Sequence, residues 1–237
     1  MLSLPPMRPP WDELEPASRG TVERQHQAVR RVEQLVTVVF AAAMALLVIL
    51  LVNYTSASAT TESSLSAILR STWPAAGACA MGFLVLLSCW LLYHLQFHYL
   101  TQSSGWLLLL HALLLPSALL IPFSTALLNT LALTRQSVLL FDANVLVIQI
   151  LLLLMWRHSV KGGLLFGGNV PSRVVRRMRL LLRAGVSAML IVIGLALVST
   201  PAGLGALIAL LVLEIALVAK GGYTLDLGAR KVPTPGM

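Results

Sequence analysis

The chain has 237 residues, 57% of them hydrophobic and only 11% charged, with a mean hydropathy of +0.85 and a formal net charge of +8. About a quarter of the residues of an ordinary soluble domain are charged, so this composition excludes a soluble globular fold and makes the bilayer the solvent. The excess positive charge has no nucleic-acid-binding module to go with it, and its placement along the chain accounts for it without one.

A bilayer core of about 30 Å takes about 20 apolar residues of helix. Six such runs occur, over 33–53, 72–97, 105–128, 138–156, 178–198 and 202–219, which predicts an all-α membrane protein of six transmembrane helices. Residues 1–30 come first, and Pro5, Pro6, Pro9 and Pro10 interrupt them where a cleaved signal peptide would have an apolar core. They read as a partly disordered tail, followed by a six-helix transmembrane domain over 31–220 and a C-terminal tail over 221–237. With the N-terminus inside, every Lys and Arg except Arg70 and Arg135 falls on the cytoplasmic side. The positive-inside rule therefore puts both termini in the cytoplasm. No convincing repeat relates the two halves, so an inverted-repeat transporter has no support.

Polar residues within the apolar runs are costly and mark the candidate sites. On the second run, "CWLLYHLQF" places Trp90, Tyr93, His94 and Phe97 at helical spacing, level with Glu33 and Gln34 of the first run and near His111 of the third. A polar knot joining helices one, two and three is the reading, beside that of an aromatic interfacial belt. Asp142 and Asn144 read as an N-terminal cap and helix charge for the fourth helix, and Gln149 as one interhelical hydrogen bond. Glu214 lies about 9 Å from Lys220 along its helix. Arg183 lies at a similar depth on the antiparallel fifth helix, so a buried ion pair between them is expected. Cys79 and Cys89 are ten residues apart on one helix, about 15 Å, and cannot bond to each other.

Between runs four and five, "GGLLFGGNVPSRVVRRMRLLLR" joins a glycine-rich loop to the basic start of a helix suited to anionic headgroups. It lacks the Gly-Lys-Ser or Gly-Lys-Thr ending of a phosphate loop. No metal-ligand spacing and no catalytic constellation appears, so neither cofactor, metal site nor enzyme activity is expected.

Three stretches resemble the transmembrane protein 175 family of lysosomal and bacterial potassium channels. Residues 31–50, "RVEQLVTVVFAAAMALLVIL", resemble that family's first helix with its Arg-x-x-x-Phe-Ser-Asp motif. "CWLLYHLQF" is similar to its Trp-x-x-His-His-x-x-Phe segment, and "LLIPFSTALL", residues 119–128, resembles the end of its third helix. The chain departs from the pattern at Leu35, Val36 and Thr37, which replace Phe-Ser-Asp, and at Tyr93, which stands for the first His. It also has Ala42 where the relatives carry a bulky isoleucine.

The resemblance implies a homotetramer whose first helices line a pore through Ala42, Leu46 and Ile49. In that arrangement Arg31, Thr37, Trp90 and His94 form the polar network that holds the helix. The function implied is a hydrophobically gated channel for potassium or another monovalent cation, in contact with membrane lipid, in a bacterial inner (plasma) membrane. The alternatives are a non-conducting scaffold or partner subunit that kept the fold, and a proton-coupled transporter using Glu214.

Overall fold

A computed structural model describes residues 16–61, 64–97, 99–100, 104–131, 133–163 and 172–229. The described residues form six helices: α1 Pro16–Thr61, α2 Leu65–Phe97, α3 Gly105–Thr130, α4 Arg135–Lys161, α5 Ser172–Val198 and α6 Thr200–Ala229. Each predicted apolar run lies within one of them, and each helix contains a segment long and apolar enough to cross a membrane. No strand occurs among the described residues. The glycine-rich loop over 164–171 and the extreme tails lie outside the described residues.

The helices are longer than the apolar runs because helical hydrogen bonding continues past the hydrocarbon wherever the sequence allows it. α1 begins at Pro16, well inside the stretch read as a tail, and a proline at the first helical position loses no hydrogen bond. α3 is capped by the Ser104 hydroxyl, which accepts from the Leu107 N–H. α4 is capped by Thr134, whose side chain accepts from the Ser137 N–H. The helices pack α1 on α2 and α3, α3 on α4, α4 on α5 and α5 on α6, with α2 also touching α4 and α6. α2 and α4 therefore lie inside the bundle and α1 lies at its edge. The end where α1 begins and α6 finishes is called basal here, the opposite end apical.

The cap expected of Asp142 and Asn144 is corrected by the start of α4 at Arg135, which leaves both residues about two turns inside the helix. Asp142 is fully buried, with neither carboxylate oxygen hydrogen-bonded among the described residues. Asn144 ties α4 to α3 beside Pro122, which has no N–H to give to the Ala118 carbonyl. With its amide in the orientation that satisfies both neighbours, Asn144 donates to the Ser117 carbonyl (3.2 Å) and accepts from the Ile121 N–H (3.2 Å).

Glu214 is held deeper in the bundle. Ser88 Oγ on α2 donates to its Oε2 at 2.7 Å, and Gln149 Nε2 on α4 donates to both carboxylate oxygens at 3.0 and 3.1 Å. The interhelical bond expected of Gln149 is present. The ion pair with Arg183 is not among the described contacts: Glu214 is 3% exposed, whereas Arg183 points out of the bundle. The buried stripe of α5 runs through Met178, Leu182, Gly185, Met189 and Val192, and Arg183 is one residue, about 100°, away from it. Gly185 occupies the place facing Glu214. A Cβ there would stand 2.7 Å from Glu214 Oε1 and 2.9 Å from Gln149 Oε1, so the polar trio fits only against bare backbone.

Three outcomes follow, all read from unfolding of the purified chain in detergent. Asn144→Ala removes two hydrogen bonds between α4 and the α3 backbone and lowers stability by about 1–2 kcal/mol. Gly185→Ala forces the trio apart and costs about 1–3 kcal/mol. Gly194→Ala on the same helix, where a Cβ meets nothing within 4 Å, is neutral or stabilising by about 0.5–1 kcal/mol.

Candidate functional site

Lipid tails are as apolar as leucine, so a membrane helix is fixed by close packing and polar contacts rather than by the hydrophobic effect. α1 obeys this rule on one face only. Val36, Phe40, Ala43 and Leu47, spaced by four, three and four, are buried against α2 and α3. The contact is close because Gly82 of α2 leaves room: a Cβ there would meet Thr125 Oγ1 at 2.6 Å and the Leu47 methyls at 3.2 and 3.3 Å.

The two ends of α1 are pinned by polar groups. At the apical end Tyr54 donates to the Ala126 carbonyl at 3.4 Å and shares a hydrogen bond with Thr130 Oγ1 at 3.1 Å, both on α3. At the basal end Glu33 Oε1 lies 3.4 Å from His94 Nδ1 on α2, and Trp90 stacks on the His94 ring at a centroid distance of 5.4 Å. The side chains of His94 and Glu33 are 56% and 32% exposed, so their pairing orients α1 more than it stabilises it. Of the residues expected in the polar network, Trp90 and His94 meet each other. Arg31 is exposed and Thr37 half-buried, and neither has a hydrogen-bond or ion-pair partner among the described residues. Glu33, level with the motif but outside the expected set, makes the contact instead.

The rest of the knot is aromatic. Tyr93 stacks on Phe97 (4.6 Å) and lies near Phe40 of α1 (6.5 Å), while His111 of α3 meets Tyr93 and Phe97 edge-on at 5.8 and 5.1 Å. His111 donates through Nδ1 to the Leu107 carbonyl at 2.6 Å. The Tyr93 hydroxyl has no hydrogen-bond partner among the described residues. The polar knot expected across helices one, two and three is thus a ring cluster with one histidine–carboxylate contact at its rim.

The remaining face of α1 is apolar and uncovered. Ala42, Leu46 and Ile49 lie on it, Leu46 being 43% and Ile49 54% exposed, with Val38, Val48 and Val52 beside them. The chain brings no other described element over this face, since α1 contacts only α2 and α3. Glu214 and its partners are on α2, α4 and α6, away from this face.

A family model described as the endosomal/lysosomal potassium channel TMEM175 matches residues 31–122, which cover the membrane part of α1, α2 and most of α3. The chain is 28% identical over 209 residues to potassium channel B446_29190 of Streptomyces collinus, across 86% of this chain and 94% of that protein. The crystal structure of a lysosomal potassium-selective channel TMEM175 homolog from Chamaesiphon minutus matches with a TM-score of 0.69 at 22% identity, over 81% of this chain and 98% of that one. That structure has the same fold. The chain is thus similar to TMEM175 channels over its first three helices and shares the fold of the solved homolog.

Proposed function

We propose that the protein is a subunit of a homo-oligomeric cation channel in which copies of α1 surround the conducting path. The observation that carries this reading is the uncovered apolar face of α1 through Ala42, Leu46 and Ile49, on a helix pinned at both ends and packed on its other side. The curated relative is a potassium channel, which makes potassium the favoured ion, and a fourfold arrangement in a bacterial inner membrane is part of the same proposal. Rings of leucine and isoleucine gate by drying the path between them. Ala42 is small, so the narrowest ring falls at Leu46 and the barrier there is short. Arg31 and Thr37, without protein partners among the described residues, stand near the basal mouth of this path, where Arg31 adds positive charge.

The test is potassium flux from liposomes loaded with the purified chain. Leu46→Trp lowers flux about tenfold or more, the effect of about 1.4 kcal/mol added to the barrier, and Leu46→Ala raises it. Leu190→Trp, at a 56% exposed position on α5, leaves flux unchanged. Background flux from wild type and both Leu46 variants alike would end the channel reading in favour of a non-conducting subunit with the same fold.

A further inference from the structure

Without the Arg183 ion pair, the charge of Glu214 has to be met by something else. Glu214 is 3% exposed and joins no ion pair among the described residues, and Arg183 on α5 is exposed. The other titratable groups around it bring no positive charge to its oxygens. Cys89 of α2 lies beside it and is a thiol, neutral at neutral pH. Asp142, itself an acid, stands seven residues, about 10 Å, before Gln149 on the same stripe of α4. Lys220 falls about 120° away around α6. Burying an ion costs more than its hydrogen bonds return unless a counter-charge stands close.

The atoms around Glu214 suit its neutral, protonated form. Ser88 Oγ lies 2.7 Å from Oε2, and Gln149 Nε2 lies 3.0 and 3.1 Å from Oε1 and Oε2. The other end of that amide, Gln149 Oε1, is buried with no donor among the described residues. It shares the side facing α5 with Glu214 Oε1: the two oxygens lie 2.9 and 2.7 Å from the place that a Cβ of Gly185 would take. Ionised, Glu214 sets one acceptor beside another there, and they repel. A proton on Oε1 reverses this. After a small turn of the amide the O–H donates to Gln149 Oε1 while Nε2 still donates to Oε2, so acid and amide each use a donor and an acceptor on the other. The Gly185 backbone closes the site on this side, which leaves space there for a proton but for no larger cation. We propose that Glu214 is a proton-binding site in the middle of the bundle, a neutral acid held by Ser88 and Gln149. It requires no ion conduction and stands apart from the function proposed above.

The experiment is infrared spectroscopy of the full chain in detergent at neutral pH, made with glutamate isotope-labelled at its side-chain carboxyl. Wild type shows the carbonyl stretch of a protonated carboxylic acid, and the label shifts it, which separates it from any band of Asp142. Glu214→Gln, which has the shape of the neutral acid, loses the shifted band and unfolds at the wild-type temperature or above. Arg183→Ala and Lys220→Ala keep the band. If Glu214→Gln does not fold, the label assigns the band on its own, because the other glutamates lie outside the apolar runs or, at Glu33, on the edge of one. Absence of a label-shifted acid band in wild type would overturn the site, as would a band that survives in Glu214→Gln. A band that appears only once Arg183 or Lys220 is replaced would overturn it too, since a cation would then be holding Glu214 ionised.

Discussion

In a medium without water, a polar group drawn into the bundle is costly unless it finds a partner there, and the Glu214 carboxyl group is held by donors from two other helices. Its two oxygens accept from Ser88 on α2 and Gln149 on α4, so three helices that are distant in sequence meet at one point. Removing a single donor would leave a buried acceptor short, at a cost of about 1–3 kcal/mol. The same demand accounts for Gly185, since any side chain there would occupy the space of the carboxylate. With α2, α4, α5 and α6 gathered around this point, α1 is left to pack on the outer side of α2 and α3.

Asn144 serves α3 in a comparable way. A proline weakens the backbone bonding of a membrane helix, and here the neighbouring helix gives the turn beside Pro122 both a donor and an acceptor. This part of α3 is therefore tied to α4. It carries Thr125, whose hydroxyl defines the tight approach of Gly82 and Leu47. The chain of contacts runs from α4 through α3 to α1, and it sets the angle at which α1 presents its open face.

The six spans were legible in the sequence because length and apolarity alone decide them. The helix ends were less so, since polar residues such as those after Pro16 can continue a helix beyond hydrocarbon. Depth along a helix was also legible, but direction around it was not read far enough. Arg183 and Glu214 do share a depth, and the pairing failed on azimuth: the apolar stripe Met178, Leu182, Gly185, Met189 excludes position 183. Asp142 and Asn144 misled as a cap because Thr134, eight residues earlier than Asp142, already starts the helix. The family motifs drew attention to Trp90 and His94. Glu33, which completes that contact, was legible from its level opposite His94, whereas Arg31 and Thr37 came from a motif whose remaining members this chain has replaced.

α1 has 46 residues, about 69 Å of helix, more than twice the thickness of the hydrocarbon it crosses. No proline interrupts it after Pro16, so it behaves as a single shaft whose basal portion stands clear of the bilayer. Such a shaft carries torsion. A twist applied to its protruding portion would turn Ala42, Leu46 and Ile49 through a like angle, with Glu33 and Tyr54 as its two bearings.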